Sequence, residues 1–246
     1  MRFAAIADVH GNHLALEAVL ADIAAQGVTE IVNLGDCFSG PLTAGRTAEL
    51  LRERDMLTVR GNHDRYLIEQ QREAMHLSDT AAFDQLTADD LQWLRGLPTS
   101  AVYRSEVYLC HATPANDSTY WLESVSTEGH VFLKPLAEIE ALATGADFPL
   151  ILCGHSHIPR LVRLSDDRLI VNPGSVGCPA YDDDRPHYHK VETGHPLASY
   201  CILEKGETGW LPAFRTVAYD YMAMSRLANE NARPDWAGAL ATGWMP

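Results

Sequence analysis

Residues 1–13 read MRFAAIADVHGNH. Phe3 to Ala7 is a short apolar run of the kind that forms a buried strand, and it stops abruptly at Asp8-Val9-His10. The period then changes. Leu14, Leu16, Val19, Leu20 and Ile23 recur at helical spacing from His13 to Gln26, with Asn12 placed to cap the start and Gly27 the end. Ile31 to Leu34 is a second strand, Thr43 to Glu53 a second helix and Met56 to Val59 a third strand. A β-α-β-α-β series of this kind calls for a parallel sheet with right-handed crossovers.

Outward from this block, Asp64 to about Glu73 and Thr87 to Leu94 are expected to be helical, the latter with Thr87 and Asp90 as a capping box. Ala101–Tyr103 and Val107–Cys110 read as a hairpin across Ser105-Glu106, and Leu136–Ala143 as a helix. Strands follow at Pro149–Cys153, Arg160–Leu164, Leu169–Asn172, Leu197–Leu203 and Trp210–Val217, then a helix from Tyr219 to about Asn229. The polar stretch Ala180–Pro196 reads as a loop with room for one edge strand. Residues 1–246 form one domain, in which 230–246, with Pro234, Gly238 and Gly243, is expected to be a loosely ordered tail.

Five strand-like runs deliver Asp, Asn or His at their C-terminal ends: Asp8 and His10, Asp36, Asn62 and His63, His111, and His155 and His157. In open α/β sheets that edge is where ligands sit. Carboxylate, imidazole and amide oxygen without thiolate form a donor set for borderline divalent ions. Asp8, His10, Asp36, Asn62, His111, His155 and His157 make seven candidate ligands, more than one ion leaving room for water can use, so two ions are expected, with Asp36 the bridging candidate. Taken singly these motifs are ordinary turns and caps; their order along one chain is not.

Composition narrows the partners. Thirty-three acids against 19 bases give a net charge of −14, and Lys and Arg form no cluster, which argues against extended nucleic-acid binding. The start lacks a secretory h-region, and no run approaches the roughly 20 apolar residues of a membrane helix, so the cytoplasm is the expected location. Five scattered cysteines (37, 110, 153, 178 and 201) without a CxxC pair point to a reducing compartment and free thiols.

The order Asp-x-His, Gly-Asp, Gly-Asn-His-Asp, His, Gly-His-x-His, from Asp8 to His157, resembles the calcineurin-like metallophosphoesterase superfamily. Asn172-Pro173-Gly174-Ser175 resembles the turn of its small bacterial and archaeal phosphodiesterase branch. The resemblance implies a four-layer α/β/β/α sandwich of two packed mixed sheets. It implies that Asp8, His10 and His157 hold one metal, that Asn62, His111 and His155 hold a second, and that Asp36 bridges them. His63 would sit at the phosphoryl group and assist the leaving oxygen. Many relatives carry an Arg shortly after the NPGS turn; here Cys178-Pro179-Ala180 stand instead, with Arg185 as the substitute substrate anchor.

The expected activity is hydrolysis of small phosphate esters, nucleotide-like phosphodiesters or monoesters, by a metal-bridging hydroxide between two divalent ions. Mn²⁺ is the expected activator, and Fe, Co, Ni or Zn also suit the donors. The rival within this chemistry is diadenosine-polyphosphate hydrolysis; the rival outside it is a non-catalytic, metal-stabilised scaffold, against which His63 argues. Tyr120, Trp121 and Tyr181 are read as core aromatics before base-stacking ones, and His187, His189 and His195 beside Asp182–Asp184 as a solvated loop before a further metal cluster. The sequence leaves the oligomeric state and the individual substrate open.

Overall fold

The N-terminal apolar run forms a strand covered on both faces. In the computed structural model, which describes residues 1–246, β1 (Arg2–Ile6) is the central strand of a five-stranded sheet. It is followed by α1 (His13–Ala25), β2 (Ile31–Asn33), α2 (Ala44–Arg52) and β3 (Leu57–Thr58), and β1, β2 and β3 are parallel. The Asn12 side chain caps α1 by accepting from the Ala15 amide at 3.1 Å. Three helices follow: α3 (Asn62–Glu69), α4 (Leu77–Phe83) and α5 (Ala88–Gly96), the last with the expected Thr87/Asp90 capping box.

The second half builds a second sheet. The hairpin β4 (Ser100–Tyr103) and β5 (Val107–Cys110) leads through the small hairpin β6 (Glu123–Val125) and β7 (Val131–Leu133) to α6 (Leu136–Ala141). Then come β8 (Leu150–Leu152), β9 (Arg160–Arg163) and β10 (Leu169–Asn172), the hairpin β11 (Ala180–Asp183) and β12 (His189–Glu192), and the long pair β13 (Ala198–Gly206) and β14 (Gly209–Val217). Helices α7 (Tyr221–Glu230) and α8 (Pro234–Thr242) end the chain. The first sheet has the order β14-β13-β1-β2-β3 and the second β4-β5-β8-β10-β9. In the first, β1, β2 and β3 are parallel, β13 pairs antiparallel with β1 and β14 antiparallel with β13; in the second, the three central strands β5, β8 and β10 are parallel and β4 and β9 antiparallel, so both are mixed.

Alternation along the strands sorts the layers, because successive side chains leave opposite faces. Phe3, Ala5 and Ala7 meet Val107, Leu109, Leu150 and Leu152 between the sheets. Ala4 and Ile6 face the other way, onto Leu16, Val19 and Ile23 of α1. Tyr108 and Ile151 pack outward onto Ile139 and Ala143 at α6. This is the α/β/β/α sandwich. All five cysteines are buried and free, and no helix is long and apolar enough to cross a membrane.

Four segments differ from expectation. Residues 230–246 are not a loose tail: α8 packs on α7, with Leu240 buried beside Met224 and Ala228. Pro234 occupies the first helical turn, where its missing N–H costs nothing, and Gly243 is the left-handed cap at the other end (φ 78°), so the residues that suggested a loop mark the two ends of a helix. Residues 180–196 form a two-stranded hairpin rather than a loop with one strand. Helix α4 fills the gap between the two helices expected over residues 64–97, and the short β6–β7 hairpin lies where no regular structure was expected.

Candidate metal centre

Strands β1, β2 and β3 of one sheet and β5 and β8 of the other end at the same edge of the sandwich. Asp8 and His10 follow β1, Asp36 follows β2, Asn62 and His63 follow β3, His111 follows β5, and His155 and His157 follow β8. The turns there are sharp. Asp8, His10, Asp36, His155 and His157 all adopt left-handed φ between 50° and 70°, five of the nine non-glycine residues that do so in the chain. Such backbone is disfavoured for any residue with a Cβ, and its concentration here marks a site rather than a scaffold. Close approach sets a second demand: a Cβ on Gly61 would strike the Asp36 carboxylate, which brings the second and third turns together.

The side chains gather into two groups. Ligand atoms of Asp8, His10 and His157 lie within 4.8 Å of one another, as do those of Asp36, His111 and His155. Three imidazoles are oriented by backbone carbonyls: Nδ1 of His10 donates to Ser39 O (2.7 Å), of His111 to Leu34 O (2.8 Å) and of His157 to Cys178 O (2.9 Å). Each therefore turns Nε2 inward, as a metal-binding histidine must. Asn62 Oδ1 stands 3.0 Å from His111 Nε2, which places the amide oxygen on the second group.

The electrostatics call for positive charge at both points. Nε2 of His10 faces Nε2 of His157 at 3.1 Å, with an Asp8 oxygen 3.6 Å from the latter. With both Nδ1 protons spent on carbonyls, neutral rings aim two lone pairs at each other and at a carboxylate, an arrangement that a cation relieves. Burial drives His10 down to about 4 and His155 to about 3, keeping these rings in the neutral, ligating form. It also pushes Asp8 up to about 8, a carboxylate without enough local charge to stay ionised at neutral pH. Burial works against ionisation of Asp36 too, but His111 and His63 outweigh it and hold that carboxyl well below its usual range. His111, opposed by burial and favoured more strongly by Asp36, rises to about 10; its Nε2 lies 3.2 Å from Asp36 Oδ2, and a bound cation would replace the proton between them. Donor chemistry, inward nitrogens and missing charge all fit a pair of divalent ions.

His63 stands beside these groups and is held differently. Its amide donates to Asp36 Oδ1 (2.9 Å), and its Nδ1 meets Asp79 Oδ1 at 2.8 Å. Asp79 is wholly buried on α4, and its other oxygen has no partner. Burial disfavours the imidazolium, but Asp36 and Asp79 prevail and lift His63 to about 9. Asp64, also buried, accepts from the amides of Asp36 (2.9 Å), Cys37 (2.9 Å) and Gly61 (3.0 Å), tying two of the turns together. Sequence reading singled out neither carboxylate. Asp64, next to His63, was within reach of it; Asp79 lies 16 residues away and only the α4 fold brings it in.

The Asn172–Ser175 turn is a clamp. Asn172 Nδ2 donates to Gly154 O (2.7 Å), and Ser175 Oγ donates to Asp8 O (2.7 Å) and accepts from the Cys178 amide (2.8 Å). It joins the two sheets where the candidate ligands leave them.

Above the groups lies a cleft of about 410 Å³. Arg185 lines it, exposed and without a side-chain partner. Arg233, Asp235 and Trp236 of the α8 segment line it as well, and sequence reading passed over all three. Tyr120 and Tyr181 form another wall: their rings pack on His155 (5.2 Å) and His157 (4.7 Å) and their hydroxyls meet at 2.6 Å. Buried His189 holds Tyr120 from behind through Nε2 (2.9 Å). Trp121 is a core residue, its indole N–H on Ile139 O. His187 and His195 join no metal-binding group.

Residues 1–195 match the family model described as the calcineurin-like phosphoesterase superfamily domain. A metallophosphoesterase structure from Sphaerobacter thermophilus superimposes with a TM-score of 0.75 over 99% of both chains at 26% identity. A hypothetical protein from Pyrococcus horikoshii gives a TM-score of 0.74 over 100% of this chain and 99% of that one at 18% identity. An uncharacterized protein of Methanocaldococcus jannaschii is 27% identical over 258 residues, covering 96% of this chain and 95% of its own.

Proposed function

The chain belongs to the calcineurin-like phosphoesterase superfamily, and from that premise we propose that it is a metal-dependent hydrolase of small phosphate esters. Asp8, His10 and His157 hold one divalent ion, Asn62, His111 and His155 a second, and Asp36 is shared between them. The observation that carries this reading is the pair of three-donor groups meeting where two sheets end. Mn²⁺ is the expected activator, with Fe, Co, Ni or Zn compatible with the donors. The cytoplasm is the expected compartment.

When bound, two such ions neutralise phosphoryl oxygens and make water nucleophilic at neutral pH. The residues around them do the rest. Asp36, fixed through its backbone by Asp64, keeps the two donor groups in register. His63 holds a proton near neutral pH because Asp36 and Asp79 stabilise the imidazolium. Nδ1 is committed to Asp79, so Nε2 is the atom that gives its proton to the departing oxygen. Tyr120 and Tyr181 brace the His155 and His157 rings and restrict water at that wall. The cleft volume suits a small ester rather than a polymer.

The test is a metal-reconstituted screen of the chelator-treated protein against phosphomonoesters, linear and cyclic nucleotide diesters and dinucleoside polyphosphates, run beside elemental analysis. Two ions per chain and ion-dependent turnover are expected. Ions without turnover of any ester would leave only a metal-stabilised scaffold, a role that gives the pairing of His63 with buried Asp79 nothing to do.

A further inference from the structure

The cleft holds two arginines that the chemistry above does not use, and they differ in kind. Arg185 lies beside Asp182, Asp183 and Asp184 with no partner of its own, so ordering it on a ligand costs side-chain entropy. Arg233 is already fixed. Its Nε and Nη2 grip Asp235 (3.0 and 2.6 Å), its Nη1 donates to Ser78 Oγ (2.8 Å), and its guanidinium lies 5.9 Å from the centre of the Trp236 ring. Trp236 in turn rests against His10, ring centres 6.0 Å apart, and against Gly40. Three of the five guanidinium N–H groups are engaged, which leaves one on each Nη without a protein partner, on a residue that lines the cleft. A preoriented Arg of this type suits a phosphate group and loses little freedom on binding it.

Its tether says which part of the ligand it meets. Ser78, which holds Arg233, adjoins Asp79, which holds His63. One short helix thus places the proton donor for the leaving oxygen and the arginine on the same side of the cleft. The β11 rim of the same cleft presents Asp182, Asp183 and Asp184, which repel negative charge. An anionic leaving half is therefore held at Arg233 rather than along that rim.

We infer that Arg233 is a specificity-determining residue that recognises an anionic, phosphate-bearing leaving group, so that the preferred substrates are nucleotide-type esters or anhydrides whose departing half itself carries phosphate. This rests on the hydrolase reading and sharpens it toward dinucleoside polyphosphates. The residue lies beyond the segment that matches the family model, which ends at 195.

The experiment compares kcat/KM for a dinucleoside tetraphosphate with that for bis(4-nitrophenyl) phosphate, whose leaving group is an uncharged phenol, in manganese-loaded protein. Inorganic pyrophosphate binding is measured by calorimetry on the same samples. With Arg233→Met the ratio of the two kcat/KM values is expected to fall by about 10- to 100-fold, the worth of a charge-assisted hydrogen bond, mainly through KM. Pyrophosphate Kd should rise in step. Arg233→Lys, keeping charge without the fork, should recover part of the ratio, and Ser78→Ala, which loosens one tether, should lower it less. A ratio that stays within twofold in Arg233→Met, or one that moves instead in Arg185→Met, overturns the inference. If neither ester is hydrolysed yet Arg233→Met still weakens pyrophosphate binding, the hydrolase reading falls while the anion anchor stands.

Discussion

The floor of the cleft and its rim are built on opposite plans. Floor residues Asp8, His10, Asp36, Asn62, His111, His155 and His157 each follow a buried strand, so two packed sheets fix their positions. Rim residues come from the short α4, the β11–β12 hairpin and α8, elements tied to one another and to a neighbouring loop by side-chain pairs such as Arg233–Ser78 and Tyr120–His189. A reaction that tolerates little displacement belongs on the first kind of support. Choice of substrate can be left to the second, where a changed loop alters the partner without unsettling the chemistry.

If that division holds, substitutions should lose their force on moving outward. Asp36→Asn should abolish turnover, by about 10⁴-fold or more, and cost at least one bound ion, since the ions supply several kcal/mol to the transition state; near-normal metal content by elemental analysis would break the shared-ligand assignment. His63→Ala should cut kcat by about 10²- to 10³-fold with both ions retained. Loss of metal in that variant would move His63 from proton donor to ligand. Asp79→Asn should reduce kcat by about tenfold, in the range of groups that orient a working residue. It should also displace the pH profile in a defined direction. Removing an anion that stabilises the imidazolium lowers the His63 pKa from about 9, so activity that needs the protonated ring is lost at lower pH than in the parent. An alkaline limb that stays in place would show that Asp79 only packs. Tyr120→Phe, which strips buried His189 of its hydroxyl partner, should cost about 1–3 kcal/mol in urea unfolding, with metal stoichiometry unchanged.

Legibility in the sequence follows the same line. The floor could be read because an apolar run of strand length that ends on Asp, Asn or His is a local pattern, repeated five times, and the sandwich follows from the same runs. The fold was legible as well in Thr87–Asp90 and Asn12, whose caps are written within a few residues. Asp79 could not be read as a site residue: in Leu77–Phe83 it looks like the usual acid in a first helical turn, and only the packing of α4 turns it onto His63. Arg233 and Trp236 were hidden by Pro234, Gly238 and Gly243, which resemble loop chemistry until the buried contacts of Leu240 make a helix of them. His189 looked like one of three solvated histidines; its burial depends on Tyr120, 69 residues away.

The left-handed turns at Asp8, His10, Asp36, His155 and His157 carry one more consequence. Each is a conformation that glycine adopts freely and that bulkier residues occupy at a penalty of about 1–2 kcal/mol. A chain shaped only by the need to fold would have drifted toward glycine at these corners, and this one instead keeps imidazoles and carboxylates there. The backbone thus records a conflict between durability and work, and its outcome can be read without any ligand in view: the corners that fold least willingly are the ones the molecule has a use for.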